Sequence, residues 1–189
     1  NAIGLQNIGI KNFLKEKAPH LRKIDTVFVA NFYGHKVEEY VEAAKMLDDE
    51  ECIKALEMNI SCPNISVGGI QFGVDPLLVH KVVSEVRKET KKPLWVKLTP
   101  SGNIKETAKS AFEAGADALV AINTIPAMAI DTEKMDFRIF NKVGGLSGPA
   151  IHPIAVKMVF DVVSEVPIPI IGCGGVEKGS DGIEFLLLG

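Results

Sequence analysis

Asn59-Ile60-Ser61-Cys62-Pro63-Asn64 places a thiol between two carboxamides, at the end of an apolar run from Ala55 to Ile60 that reads as a buried strand. Carboxamides at a strand end can grip the C=O and N–H edges of a flat polar ring without the cost of burying a charge. A cysteine held over such a ring can remove a proton from it. A reference thiol ionises near ~8.5, so partial activation makes Cys62 a usable base. The competing reading is a small buried hydrophobe, which suits most lone cysteines and is kept for Cys52 and Cys173.

Further polar residues close other predicted strands. Lys97 ends the run Leu94-Trp95-Val96 and is read as a solvated lysine, a fixed cation or a Schiff-base amine. Asn1, Asn31, Asn123 and Thr124 fall at strand ends or in loops. Each alone would pass as a turn residue, but together they would ring one mouth. Two glycine-rich turns, Gly144-Gly145-Leu146-Ser147-Gly148-Pro149 and Gly172-Cys173-Gly174-Gly175, expose backbone N–H groups of the kind that cradle phosphate. His20, His35, His80 and His152 have no partner at metal-ligand spacing and are assigned no role.

The elements that must position these residues alternate. Strands are predicted at 25–30, 55–60, 94–98, 118–122 and 168–172. Between them, Val37, Tyr40, Val41, Ala44 and Leu47 share one helical face, as do Leu78, Val79, Val82, Val83 and Val86 behind an Asp75 cap with Pro76 next. Asn103 with Glu106 resembles a capping box, and Gly115 closes that helix. A polar excursion is expected from Asn123 to Gly148. A helix follows Pro149 with Ile151, Ile154, Ala155, Met158, Val159 and Val162 inward, and a last helix is capped by Ser180. This alternation predicts an α/β fold with a parallel sheet. Candidate residues follow four successive strands, which favours a barrel mouth over the single switch point of an open sheet. A complete (β/α)8 TIM barrel takes about 250 residues. The expectation is therefore an incomplete barrel, about strands 3 to 7, forming one domain over 1–189.

Composition narrows the function classes. The 189 residues are 47% hydrophobic and 24% charged, with a net charge of −3, which leaves no basic footprint for nucleic acid or anionic lipid. No run reaches the ~18 apolar residues of a membrane span. Three widely spaced cysteines give neither a disulfide framework nor a metal site, so a reducing cytoplasm is expected.

Taken in order, Asn1-Ala2-Ile3-Gly4-Leu5-Gln6-Asn7, the Asn59–Asn64 segment, Val96-Lys97-Leu98, Ile122-Asn123-Thr124, Gly144–Pro149 and Gly174-Gly175 resemble the class 1 dihydroorotate dehydrogenases, and most closely the catalytic subunit of the NAD-linked type. That resemblance implies an FMN-containing barrel that oxidises dihydroorotate to orotate in de novo pyrimidine (UMP) biosynthesis. It implies Cys62 as the base at C5. It implies substrate contacts from Asn1, Ala2, Ile3, Gly4, Leu5, Asn59, Asn64, Asn123 and Thr124. FMN contacts are implied from Asn31, Asn59, Lys97, Ile122, Gly148, Gly174 and Gly175. It also implies an iron–sulfur flavoprotein partner carrying FAD and a 2Fe-2S cluster, within a homodimer or heterotetramer. Three alternatives stay open: a dihydropyrimidine dehydrogenase-like barrel acting on uracil or thymine, a Schiff-base aldolase using Lys97, and a truncated inactive product.

Overall fold

The computed structural model describes residues 5–61, 66–67 and 70–189. Five parallel strands form its main sheet: β1 (Phe28–Phe32), β2 (Ile53–Asn59), β3 (Leu94–Lys97), β4 (Ala118–Ala121) and β5 (Ile170–Gly172). Their spatial order equals their chain order. An open doubly wound sheet reverses direction at a switch point. A sheet that only ever adds its next strand on the same side is the wall of a β/α barrel.

Helices α1 (Val37–Asp48), α2 (Pro76–Glu89), α3 (Ile104–Glu113), α4 (His152–Val163) and α5 (Gly179–Leu186) complete the units. Alternation within the strands sorts the side chains. On β2 and just beyond it, Leu56, Met58 and Ile60 are buried with Tyr40 and Leu47 of α1 and Val79, Val82, Val83 and Val86 of α2. Each large apolar side chain taken out of water this way contributes about 1.5–3 kcal/mol. The intervening residues, Glu57 and Asn59, lie on the opposite, concave face.

Asp75 caps α2 as expected, its Oδ1 accepting from Leu77 and Leu78 N–H, and Asn103 caps α3 through Lys105 N–H. Four details differ from the sequence reading. First, α5 starts at Gly179, so Ser180 lies inside it. The backbone N–H groups of Glu177 and Lys178 are satisfied by Asp181 Oδ2 instead, and these bonds hold the Asp181 carboxyl below its usual range. Second, Ile154 is 42% exposed rather than inward. Third, the excursion after β4 is ordered. Ile125–Met128 pairs antiparallel with Val143–Leu146, and within that arm Ile130–Asp131 pairs with Asp136–Phe137. Fourth, residues 10–21 are helical, with a π-turn at Phe13–Lys17. Ile10, Phe13, Leu14 and Leu21 pack against the core from this segment, but Pro19 and the π-turn break the simple period that would have announced it.

One ion pair ties this first helical segment to the end of α1. Arg22 donates from Nε to Glu50 Oε1 at 2.9 Å and from Nη2 to Oε2 at 2.7 Å. The Glu50 side chain is only 4% exposed. The hydrogen bond from Arg22, then the Cys52 N–H contact, hold the Glu50 carboxyl at about 2 despite burial. A folded pKa below the unfolded ~4.3 gives stability that is present above about pH 4.3 and lost as pH falls towards 2. Urea titrations of the whole protein between pH 5 and pH 2.5 should show an acid-sensitive arm that Glu50→Gln flattens. An equally steep arm in the variant would assign the acid sensitivity elsewhere.

Candidate active site at the strand ends

The concave face carries its polar groups in two rows at the carboxyl ends of the strands. Pairing places Asn31 beside Glu57, Asn59 beside Lys97, Lys97 beside Val120 and Gly172 beside Ala121. The barrel mouth is thus built from consecutive strand ends, where β/α barrels hold their chemistry.

Asn59 is the hub. It is 4% exposed. Its carbonyl accepts from Tyr40 Oη of α1 at 2.8 Å, which pins the end of β2 from behind. Its Oδ1 accepts from Ser61 N–H at 3.1 Å and from Asn123 Nδ2 at 3.3 Å. A backbone N–H can only donate, so Oδ1 is fixed towards Ser61, and Nδ2 is the donor Asn59 offers a ligand. Asn123 is oriented in the same way, its Oδ1 accepting from Thr124 N–H at 2.7 Å. Ser61 Oγ donates to the Lys97 carbonyl at 2.8 Å, joining the rims of β2 and β3.

On the neighbouring edge, Asn31 Nδ2 donates to Glu57 Oε1 at 2.5 Å, and Lys97 Nζ lies 3.4 Å from the same oxygen. The Lys97 and Glu57 side chains are 20% and 17% exposed. Lys97 therefore stands as the cationic partner of an acid, not as a solvated lysine. The sequence reading passed over Glu57. Its signal was present: a lone acid two residues before Asn59, on the same face of a largely apolar strand.

The glycine turns meet at the other side of the mouth. Ile122 N–H donates to the Cys173 carbonyl at 2.7 Å, linking the ends of β4 and β5. Gly175 has φ +68°, and a Cβ there would stand 2.7 Å from the Gly148 carbonyl and 2.8 Å from His152 N. Only glycine lets these two turns touch. Gly145 packs so closely on the Thr124 side chain that a Cβ would overlap it. His152, given no role from sequence, is buried behind the turns. Its Nδ1 lies 2.9 Å from the Gly174 carbonyl, which can only accept, so Nδ1 carries the proton. Its Nε2 is 3.5 Å from Glu184 of α5.

Of the residues singled out from the sequence, Asn31, Asn59, Lys97, Ile122, Asn123, Thr124, Gly148, Gly174 and Gly175 all lie around this mouth. Leu5 is held just past β1, its carbonyl accepting from Tyr33 Oη at 3.4 Å and from Asn7 Nδ2 at 2.7 Å. Asn1, Ala2, Ile3, Gly4, Cys62 and Asn64 lie outside the described residues. Cys52 is buried, and desolvation pushes its thiol up, as suits a small buried hydrophobe. His80 is exposed on α2. Among the described residues, no helix is long and apolar enough to cross a membrane.

Comparison with known proteins gives the family and the fold. The family model described as dihydroorotate dehydrogenase matches residues 1–189. The dihydroorotate dehydrogenase B (NAD(+)) catalytic subunit of Geotalea uraniireducens is 50% identical over all of this chain and 62% of its own length. Its counterpart in Oceanobacillus iheyensis is 47% identical with the same coverage. This chain thus spans less than two thirds of these relatives. The crystal structure of DHODH from Eimeria tenella in complex with ferulenol superposes with a TM-score of 0.77 at 19% identity, over all of this chain and 59% of that one. At that identity the likeness speaks for the fold alone, and the fold is the incomplete barrel built above. With a family match running from the first residue to the last, the chain belongs to the dihydroorotate dehydrogenase family.

Proposed function

We propose that this chain carries the base and most of the flavin and substrate contacts of an NAD-linked enzyme that oxidises dihydroorotate to orotate in pyrimidine biosynthesis. One observation carries the reading: Asn31, Asn59, Lys97 and Asn123 are oriented at one mouth by their neighbours rather than dispersed as turn residues.

The donor set suits FMN. Asn59 offers an amide donor, Asn31 an amide oxygen and Lys97 a cation, which match the C=O and N–H edge of a flavin pyrimidine ring. The close approach of Gly175 to the Gly148 carbonyl leaves no room for a side chain at Gly175, so backbone there can approach a phosphate closely. Ile122 and Gly174 complete this set. When bound, FMN supplies the acceptor for a hydride. Dihydroorotate would lie against Asn59, Asn64, Asn123, Thr124 and the segment from Asn1 to Leu5.

The chain's own part in the reaction is proton transfer and charge placement. Cys62 Sγ takes the C5 proton, which the neighbouring C4 carbonyl acidifies. The C5–H electron pair becomes the C5–C6 double bond as hydride leaves C6. Ser61, bonded to Cys62, is held by Asn59 Oδ1 and the Lys97 carbonyl, so the base starts from a fixed anchor. Lys97 would supply a fixed positive charge to bound FMN, which favours its reduced, more negative state. As the partner of Glu57 it suits a fixed cation better than the free amine of an aldolase.

Electrons then leave through a partner subunit, for which we propose an iron–sulfur flavoprotein with FAD and a 2Fe-2S cluster, in a heterotetramer working in the cytoplasm. The test is the visible spectrum of the whole protein. A yellow chromophore that dihydroorotate bleaches without oxygen, and dihydrouracil does not, supports the assignment. Bleaching by dihydrouracil instead would move the enzyme to the dihydropyrimidine dehydrogenase-like reading. Lys97→Ala should lower the flavin midpoint potential by about 30 mV or more, a tenfold change in a two-electron equilibrium. An unchanged potential removes Lys97 from this role.

A further inference from the structure

Among the described residues, Glu57 is the acid that contacts the mouth residues Asn31 and Lys97. Two cofactor-facing groups from two different strands converge on a single one of its oxygens: Asn31 Nδ2 of β1 at 2.5 Å and Lys97 Nζ of β3 at 3.4 Å. We propose that Glu57 is the positioning residue of the flavin's pyrimidine edge, fixing which face of the Asn31 amide meets the ring and setting the net charge beside it. The inference rests on the FMN reading above.

The geometry admits one orientation of Asn31. An ionised carboxylate only accepts hydrogen bonds, so the amide must turn Nδ2 towards Glu57. That leaves Asn31 Oδ1 as an acceptor, matched to an imide N–H and mismatched to a ring carbonyl. Asn59 is fixed with the opposite polarity, its Oδ1 occupied by Ser61 and Asn123 and its Nδ2 left to donate. An acceptor on one strand and a donor on the next recognise an N–H and a C=O side by side. Glu57 reads both neighbours because it stands one pleat before Asn59 on the same face, with Asn31 directly across the ladder.

The charge argument has a definite sign. Lys97 alone would present a full positive charge to the ring and favour its reduced, more negative state. Glu57 offsets that charge and so holds the midpoint potential down. With Glu57→Gln, the lysine is uncompensated and the potential should rise. The glutamine amide can also turn its N–H group towards Asn31, which frees the Asn31 amide to flip.

The experiment is a redox titration of the flavin-loaded whole protein, with FMN affinity measured alongside. Glu57→Gln should raise the midpoint by at least a tenfold change in the two-electron equilibrium, about 30 mV, and weaken FMN binding several-fold. Glu57→Asp, which keeps the charge, should stay near the parent potential. Asn31→Ala should weaken FMN binding without raising the potential, and it serves if Glu57→Gln does not fold. A Gln variant that loses thermal stability but keeps the parent potential and FMN affinity overturns the proposal and leaves Glu57 a structural acid. So does an Asn31→Ala variant that binds FMN normally. A parent protein that binds no flavin brings down the FMN reading itself, which is a separate outcome.

Discussion

Replacing Cys62 by alanine in the whole protein is expected to lower turnover with dihydroorotate by about 10²–10⁴, the usual worth of a positioned general base, while FMN stays bound. The argument joins chemistry to anchoring. The C5 proton of dihydroorotate is weakly acidic, so a base must be in place before the hydride can leave. Ser61, the neighbour of Cys62 in the chain, is tied by its N–H to Asn59 and by its hydroxyl to the Lys97 carbonyl. FMN should remain because the groups assigned to it, Asn31, Lys97 and the glycine turns, are held by other partners. Stopped-flow reduction of the bound flavin reads the step directly. Cys62→Ser should keep a fraction of the activity that grows with pH, because a hydroxyl is a much weaker acid than a thiol. An alanine variant that reduces flavin at the parent rate would place the base elsewhere.

Much of the barrel was legible because its periods are clean. The valine stripe of α2, buried at Val79, Val82, Val83 and Val86, follows helical spacing behind a real Asp75 cap. The apolar strands follow at even intervals, and their polar ends did converge on one rim. Two residues that escaped the sequence share a physical cause: partners distant in the chain. Glu57 looks like an ordinary strand acid until Asn31 and Lys97 close on it from either side. His152 looks like a helix-end histidine until the Gly174 turn folds onto it. The arm after β4 carries strands of only two to four residues, the first interrupted by Pro126, so it read as an excursion rather than as strands. Ser180 offered a plausible cap by composition, but the helix starts one residue earlier and Asp181, in its first turn, reaches back to the N–H groups of Glu177 and Lys178.

Asn59→Ala should be the most damaging change among the described residues, and its effects can be separated. Removing Oδ1 leaves the buried Ser61 N–H without its acceptor, a cost of about 1–3 kcal/mol that thermal or urea unfolding will register. Asn123 loses the anchor of its Nδ2 at the same time. Removing Nδ2 takes away one neutral hydrogen bond to the ring, worth about tenfold in FMN affinity. The largest loss should fall on turnover. Ser61, the residue before the proposed base, loses its fixed position once released from Asn59, and a misplacement of a base by about 1 Å can cost on the order of 10² in rate. Ser61→Ala provides the comparison: it breaks the bond to the Lys97 carbonyl but keeps the N–H to Asn59, so it should cost less stability and leave FMN affinity unchanged. If Asn59→Ala unfolds more easily yet binds FMN and reduces it as the parent does, Asn59 is a strand-end brace and the ring must be gripped by other groups. If affinity, turnover and stability fall together while Ser61→Ala loses only stability, the hub at the end of β2 is what couples fold to chemistry.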